Sequence, residues 1–376
     1  MNEVFTKLKN YLSIIIIYLS FFLVGDLIFS NFIYKKDINI KYNCFEYKNY
    51  LFKNNSYHDY YFQKKCTATE KQRTVLPYKV FTDDDGYRFS GKKRLLKENN
   101  LVFLGDSHTY AMGVNFKDSF TGIVEKNIKD YSVYNLGVPG YGMQKYYYVL
   151  DEFFKKKDAS KIILTLDMTD IFDAAHRWRS ITKTKSPVLK SKHINKKISE
   201  WKAMQNSYFK GSKIIVFQIR NFLRYLKLKV KFINKKYKDV GLKTEIANYT
   251  YVDLDKRSPL NYLSKDDFQR GTSIINLYFE KITDLAKINN AELYLMIFPW
   301  PETLVYGQEK FNWENFNIGL CQKNNCSNVI NLFDDFKRIK VEEKNWKNLI
   351  YIDEDIHFNK FGNNLVANKI IKEINN

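Results

Sequence analysis

The stretch Phe103-Leu104-Gly105-Asp106-Ser107-His108-Thr109 decides the fold class, because it joins the end of an apolar run to a serine. The run from Leu101 to Leu104 stops at Gly105, a pattern that predicts a buried parallel strand. Open α/β sheets build their sites just beyond the carboxyl ends of such strands, so we expect the Ser107 hydroxyl to face the crevice. A strand-to-helix turn capped by Asp106 or Ser107 would give the same pattern without any chemistry.

A histidine that could act with Ser107 lies far along the chain. His357 stands in the acidic stretch Ile352-Asp353-Glu354-Asp355-Ile356-His357-Phe358-Asn359, ahead of the last apolar-periodic segment. One loop could therefore supply a general base and the carboxylate that orients it, as nucleophilic catalysis by a serine requires.

Four sequence blocks resemble the SGNH (GDSL-type) hydrolase family, in the family's order and across roughly residues 98 to 374. They are Gly105 to Thr109, Asn135 to Gly142, Asp167-Met168-Thr169-Asp170 where the family has Gly-x-Asn-Asp, and the acidic loop ending in His357. The stretch from Leu295 to Pro301 is similar to bacterial members linked to cell-surface polysaccharides. The resemblance implies a flavodoxin-like three-layer α/β fold with a mostly parallel five-stranded sheet.

The same resemblance implies roles for individual residues. Ser107 would be the nucleophile and His357 the base. The orienting acid would be Asp355 or Glu354, and we favour Asp355. Asp353 is a third candidate and ranks last. The oxyanion would be met by the N–H groups of Ser107 and Gly140 and by the hydroxyl of Thr169, unless that hydroxyl caps the turn.

Three further side chains, Asp106, His108 and Asp170, are candidates for substrate binding. For His108 the alternative is a buried histidine whose hydrogen bonds are all satisfied.

Apolar periodicity outlines an alternation of strands and helices between residues 98 and 376. The predicted strands are Leu101 to Leu104, Tyr131 to Leu136, Lys161 to Leu166, Glu292 to Phe298 and Val329 to Phe333; the predicted helices are Ser119 to Ile128, Met143 to Phe154, Ile274 to Ile288 and Lys360 to Ile374. Residues 173–267 break this pattern and are predicted to be a helical insertion. Residues 34–97 are predicted to be a polar, tyrosine-rich stem.

The N-terminus predicts a membrane anchor. Residues 11–33 are mostly apolar and carry one charge, at Asp26, and the stretch is long enough to cross about 30 Å of hydrocarbon. The stretch offers no convincing small-x-small cleavage site, so we favour an uncleaved span after a short cytoplasmic tail, residues 1–10, over a signal peptide. Lysines flank both ends, so charge alone does not orient the span.

Cysteine spacing places the rest of the chain outside the cytoplasm. Cys44 with Cys66 and Cys321 with Cys326 form two local pairs, as disulfides in an oxidising compartment would. The alternative is that these cysteines are reduced. We therefore expect a single-pass bacterial inner-membrane protein with its main domain in the periplasm or on the extracellular side.

The formal charge of +20 favours an anionic glycan or lipid partner, or only a well-solvated surface. Nucleic acid is not expected, because just 10 of the 61 basic residues are arginine. The chain has no Walker loop, HExxH or GxGxxG motif, so neither cofactor nor metal is expected. Three functions stay open: an anchored esterase acting on acyl groups, probably acetyl, of a surface glycan or lipid; an O-acyltransferase using the same residues; and a glycan-binding protein whose site has decayed. Sequence does not indicate the oligomeric state.

Overall fold

The computed structural model of the chain describes residues 2–33, 44–47, 60–70, 75, 77–94, 96–177, 208, 209, 212, 216, 219, 223, 265–308, 311–353 and 355–375. The chain divides into two compact units. An anchor unit contains residues 1–39 and 188–239, and a sheet unit contains residues 40–187 and 240–376. Most of the insertion predicted for residues 173–267 lies outside the described residues.

An eight-stranded sheet organises the sheet unit. Its five parallel strands are β6 (Asn99–Leu104), β7 (Tyr131–Asn135), β8 (Lys161–Leu166), β9 (Glu292–Ile297) and β10 (Asn328–Asn331). They are the five strands that the apolar runs predict. The carboxyl halves of β6, β8 and β9 are continuously buried and, apart from Thr165, apolar, as expected where both faces of a sheet are covered.

Three antiparallel strands extend this sheet beyond the predicted five. They are β3 (Thr67–Glu70), β4 (Tyr78–Thr82) and β5 (Arg88–Phe89), all within the segment expected to be a stem. A separate hairpin pairs β1 (Phe45–Tyr47) with β2 (Tyr60–Phe62). Part of the expected stem therefore pairs with the edge of the parallel sheet at β7. The strand order of the whole sheet is β10-β9-β8-β6-β7-β5-β4-β3.

The helices that follow the parallel strands pack in two groups, as helices on opposite faces of a sheet do. The helices are α2 (Ser107–Tyr110), α3 (Phe120–Asn127), α4 (Met143–Phe154), α5 (Thr169–Phe172), α6 (Lys265–Ile288), α7 (Pro301–Tyr306), α8 (Trp313–Asn324), α9 (Phe333–Glu342), α10 (Trp346–Ile350) and α11 (Lys360–Asn375). Helix α3 packs against α11, whereas α6 packs against α4, α5 and α8. Helix α4 buries Tyr146, Leu150 and Phe153, whose spacing puts them on one face. Residue Phe333, predicted to end the last strand, begins α9 instead.

A buried arginine ties the antiparallel strands to the turn after β6. The guanidinium of Arg88 donates to the carbonyl oxygens of Tyr110, Ala111 (2.8 Å) and Val114 (2.6 Å), and it lies over the Tyr110 ring at 4.5 Å. The Tyr110 hydroxyl donates to Glu70 Oε1 (2.8 Å), and burial raises the pKa of the Glu70 carboxyl above its ordinary value. Strand β5 therefore supports the backbone immediately after Ser107.

The anchor unit contains the first helix, α1 (Asn2–Ile28), continued by a π-helical turn at Phe29–Ile33. Tyr11–Asn31 has a mean hydropathy of 2.4 and is almost entirely exposed, so it is long and apolar enough to cross a membrane. Its one charged residue, Asp26, accepts hydrogen bonds from the Ser30 hydroxyl (2.8 Å) and from the backbone N–H of Ser212 (2.7 Å). These donors compensate a carboxylate that would be costly in an apolar span.

Both predicted cysteine pairs form disulfides in the structure. Cys44 joins Cys66 with Cα atoms 5.8 Å apart, and Cys321 joins Cys326 with Cα atoms 5.0 Å apart. Both separations lie in the ordinary range for a disulfide.

Candidate active site

Ser107 is the first residue of α2 and follows the short turn after β6. Asp106 is the N-cap of α2, and its Oδ1 accepts a hydrogen bond from the backbone N–H of His108 (3.0 Å). The turn is held against the next loop because Val138 donates to the carbonyl of Gly105 (3.1 Å). Gly137 has to be glycine here, since a Cβ would overlap the backbone of Thr109.

The structure brings Ser107, His357 and Asp355 into one hydrogen-bonded line. His357 Nε2 lies 2.9 Å from Ser107 Oγ, and His357 Nδ1 lies 2.6 Å from Asp355 Oδ1. Nδ1 faces a carboxylate, so we place the proton of the neutral imidazole there, which leaves Nε2 free to accept the proton of Ser107. The line has the geometry of a nucleophile, a base and an orienting acid.

A tight loop around Asp355 holds the acid and the base together. Asp355 Oδ1 also accepts the backbone N–H groups of Ile356 (2.7 Å) and His357 (3.2 Å). The loop closes on itself because Ile352 donates to the carbonyl of His357 (2.8 Å) and Asp355 donates to that of Ile352 (2.9 Å). Glu354, the other candidate acid, lies outside the described residues, and the side chain of Asp353 is exposed.

The candidate oxyanion groups are placed differently from one another. The Ser107 N–H donates no hydrogen bond to any described residue, as expected for the first residue of a helix. Gly140 adopts a left-handed backbone, with φ of 75°. The Thr169 hydroxyl donates to Asp167 Oδ1 (2.5 Å), as in the alternative in which it caps its own turn.

The three side chains expected to bind substrate are buried close to the triad. Asp106, His108 and Asp170 are each at most 5% exposed. Asp106 Oδ2 lies 3.1 Å from Ser107 Oγ, and Asp170 Oδ2 accepts the backbone N–H of Asp167 (3.0 Å).

The electrostatics of this buried group centre on His108. Its Nδ1 lies 3.0 Å from Asp167 Oδ2 and 3.8 Å from Asp106 Oδ1, and its Nε2 lies 3.1 Å from the carbonyl oxygen of Ile356. Burial alone would lower the pKa of His108, but its contacts with Asp106 and Asp167 raise it to about 10. Burial likewise opposes ionisation of Asp106, yet the neighbouring His108 lowers the pKa of that carboxyl to about 2.

Asp170 is expected to be neutral. Burial and the charges of Asp167 and Asp106 hold its pKa well above the ordinary value. A protonated carboxyl in this position avoids placing a third buried negative charge next to the first two.

Among the residues that the structure describes, one group offers three side-chain ligand atoms close enough for a metal ion, namely Asp106, His108 and Asp167. His108 Nδ1 and Asp167 Oδ2 lie 3.0 Å apart, which is an ion-pair distance, and all three residues are buried. A cleft of about 580 Å³ lies elsewhere, between α7 and α9, and is lined by residues such as Thr303, Phe333 and Lys337.

An α/β sheet with a serine, a histidine and an aspartate aligned beyond its strands is the arrangement found in the class of serine hydrolases. In fold, the chain is similar to a lipolytic protein of the G-D-S-L family from Veillonella parvula, with a TM-score of 0.40, 12% identity and coverage of 73% of this chain and 96% of that one. It is also similar to the psychrotrophic esterase EstA from Pseudoalteromonas sp., with a TM-score of 0.39, 12% identity and coverage of 74% and 100%. An acetylxylan esterase from Geobacillus stearothermophilus gives a TM-score of 0.38, 11% identity and coverage of 75% and 96%. No protein-family model and no curated protein matches the chain.

Asp167 is the site residue that sequence reasoning missed. It follows the last residue of β8 within the third block, and the sequence analysis gives it no role. The signal was present, because β8 is the neighbour of β6 and Asp167 follows its last residue, as Asp106 follows Leu104 after one glycine. Acids at the same edge of adjacent parallel strands are expected to lie close together.

Proposed function

We propose that the chain is a serine esterase in which Ser107 is the nucleophile, His357 the general base and Asp355 the acid that orients the base. The observation that carries this proposal is the continuous line from Ser107 Oγ to His357 Nε2 (2.9 Å) and from His357 Nδ1 to Asp355 Oδ1 (2.6 Å). Both distances lie within the range that proton transfer between such groups needs.

The first step moves one proton. Ser107 Oγ attacks the ester carbonyl as its proton passes to His357 Nε2, and Asp355 stabilises the imidazolium that forms. The same His357 then gives that proton to the leaving alcohol, and an acyl group remains on Ser107. Water deprotonated by His357 releases the acid and restores the serine.

Asp106 competes with His357 for the Ser107 proton in the resting state. The hydroxyl has one hydrogen and two acceptors, His357 Nε2 at 2.9 Å and Asp106 Oδ2 at 3.1 Å. The bond to His357 is the productive one. When His357 is neutral, Nε2 has no proton and presents a lone pair to Ser107, so the hydroxyl proton can turn toward the base.

Donors for the oxyanion are proposed on the backbone. The Ser107 N–H donates to none of the described residues, so it can donate to the oxyanion of a bound substrate. The family resemblance adds the N–H of Gly140 as a second donor. The hydroxyl of Thr169 is left out because it donates to Asp167.

We propose that the substrate is an acyl ester, acetyl in the first instance, on a surface glycan or lipid. Support comes from the apolar helix α1, which is long enough to anchor the enzyme in a bacterial inner membrane, and from the formal charge of +20, which favours anionic surfaces. Two disulfides support a location of the sheet unit on the periplasmic or extracellular side.

The test uses the full chain in detergent with a chromogenic acetyl ester and a fluorophosphonate probe. Wild type should hydrolyse the ester and take up one probe per chain, and Ser107→Ala should lose both, with a fall in turnover on the order of 10³-fold or more. Circular dichroism should show that the variant is folded. A wild type that neither turns over the ester nor reacts with the probe contradicts an esterase and leaves a glycan-binding protein with a decayed site.

The acceptor of the acyl group is tested separately. Mass spectrometry of isolated surface polysaccharide incubated with the enzyme should show acetyl groups lost. A gain of acetyl groups on the glycan from an acyl donor would instead identify an O-acyltransferase, since the same acyl-serine can be resolved by a sugar hydroxyl when water is excluded.

A further inference from the structure

Both ring nitrogens of the buried His108 face hydrogen-bond acceptors. Nε2 lies 3.1 Å from the carbonyl oxygen of Ile356, and Nδ1 lies 3.0 Å from Asp167 Oδ2. A carbonyl oxygen can only accept, so Nε2 has to carry a proton. His108 and Asp167 are each 2% exposed, so water does not replace either contact.

The other nitrogen faces two carboxyl groups. His108 Nδ1 lies 3.0 Å from Asp167 Oδ2 and 3.8 Å from Asp106 Oδ1, which are ion-pair distances, and the contact with Asp167 lacks the geometry of a hydrogen bond. His108 lowers the pKa of Asp106 to about 2, whereas burial and the charge of Asp106 raise the pKa of Asp167. A proton on Nδ1 as well as on Nε2 would make His108 an imidazolium that faces the ionised carboxylate of Asp106.

We propose that His108 is a positioning residue of the triad, which as an imidazolium fixes the backbone of the loop that presents Asp355 and His357. This inference rests on the proposed esterase function and goes beyond it by assigning a role to a side chain that does not touch the substrate. His108 would act through the peptide between Ile356 and His357, since it holds the carbonyl of that peptide.

The place of this contact in the loop explains its effect. The Ile356 N–H donates to Asp355 Oδ1, whereas the Ile356 carbonyl is held by His108, so the two sides of one residue are anchored to different loops. His108 follows Ser107 directly in sequence, and His357 follows Ile356. The contact therefore links the nucleophile's turn to the base's loop independently of the bond between Ser107 and His357.

Aromatic rings hold the His108 ring in this orientation. Its centroid lies 4.6 Å from that of Phe298, 5.1 Å from that of Phe358 and 4.9 Å from that of His357. The charged groups facing it are Asp106 and Asp167, with His357 on one side. Packing alone could be supplied by any flat side chain, whereas the two contacts to acceptors require two N–H donors.

The kinetic test compares His108→Gln with Phe298→Leu in the full chain. Both N–H groups of glutamine are on one nitrogen, so glutamine can reach one of the two acceptors at most. We therefore expect kcat on an acetyl ester to fall on the order of 10²-fold while KM changes less than threefold. This is the result expected when a catalytic group is displaced by about 1 Å. Phe298→Leu loosens the same packing but keeps both contacts, and its kcat should stay within about threefold of wild type. An unchanged kcat in His108→Gln, or an equal fall in Phe298→Leu, would overturn the proposal.

A double variant tests whether the pair acts as a unit. If His108 acts through its ion pair, adding Asp167→Asn to His108→Gln should lower kcat by less than the product of the two single effects. Fully multiplicative effects would show that the two side chains act independently and would contradict the proposal.

A spectroscopic test is independent of any activity. Long-range ¹H–¹⁵N spectra of the ¹⁵N-histidine-labelled chain in detergent at pH 8 should show one histidine with both ring nitrogens protonated, and that signal should be missing in His108→Gln. A neutral His108 overturns the proposal whatever the kinetics show. If wild type hydrolyses no ester but the doubly protonated signal is present, the proposed function fails, whereas the charged state of His108 stands.

Discussion

Replacing Asp355 by asparagine removes one charge from the triad and changes its shape little. Three hydrogen bonds to the carboxylate, from His357 Nδ1 and from the backbone N–H groups of Ile356 and His357, go to Oδ1. The amide oxygen of asparagine can accept the same three bonds. The loop should therefore keep its conformation, so the variant isolates the effect of the charge.

The size of the effect follows from the distance between the two groups. Asp355 Oδ1 lies 2.6 Å from His357 Nδ1, so the centres of charge of carboxylate and imidazolium are about 4 Å apart. At an effective dielectric constant of about 20, unit charges at that separation attract by about 4 kcal/mol. This attraction is present when His357 is protonated in the transition state and absent in the resting enzyme. Asp355→Asn should therefore lower kcat about 10³-fold.

The assay compares Asp355→Asn with Glu354→Gln in the turnover of one acetyl ester. The glutamine variant is the matched control, since it removes a carboxylate from the neighbouring position and should change kcat less than threefold. Thermal unfolding should be similar for both variants and wild type. A larger loss in Glu354→Gln would reassign the orienting acid, and a loss below tenfold in both would show that Ser107 and His357 work without a carboxylate.

Three other predictions concern stability and topology. Arg88→Met should lower the free energy of unfolding by about 3 to 5 kcal/mol, because it removes the three hydrogen bonds to the turn after Ser107 and the positive charge that acts on buried Glu70. Urea denaturation measures this loss, with Arg88→Lys, which keeps the charge, as the control. Thiol labelling of the denatured, non-reduced chain should leave Cys321 and Cys326 unmodified, and ready labelling of both would contradict the disulfide. The stabilisation that protonated His108 gives should be complete below about pH 6.5, the pKa of an unfolded histidine, and be lost as the pH rises toward 10, the pKa in the folded chain. Unfolding free energies of wild type and His108→Gln should therefore converge between these two pH values, and a difference that grows with pH would contradict the charged state.

The parallel part of the fold could be predicted because its signals are local. Strand β8 and helix α4 have the predicted bounds, Lys161 to Leu166 and Met143 to Phe154. A strand buried on both faces has to be continuously apolar, and an amphipathic helix has to repeat its apolar residues at helical spacing. Both patterns are visible without any knowledge of the neighbours.

The antiparallel extension could not be recognised in the same way. Strands β3 to β5 are two to five residues long and lie in a polar, tyrosine-rich stretch. The alternation of Tyr78, Val80 and Thr82 with exposed or half-buried residues was a usable signal for β4. Strand β5 has only two residues, and its distinctive feature is the burial of Arg88. That burial could not be predicted, because it depends on hydrogen-bond partners that the sequence does not show.

The environment of His108 also depends on how strands are paired rather than on any motif. Because His108 and Asp106 are the neighbours of Ser107 in sequence, both are expected to line the substrate pocket. In the structure, β6 and β8 are adjacent and parallel, so that Asp106 and Asp167 meet at the same edge of the sheet beneath a covering loop. A cation between two buried carboxyl groups lowers the cost of burying them together. The His108 ring lies at this place, with Nδ1 3.0 Å from Asp167 Oδ2 and Nε2 3.1 Å from the Ile356 carbonyl oxygen. Strand order thus buries a residue that sequence assigns to substrate binding, and in the role we propose for it His108 supports the catalytic loop.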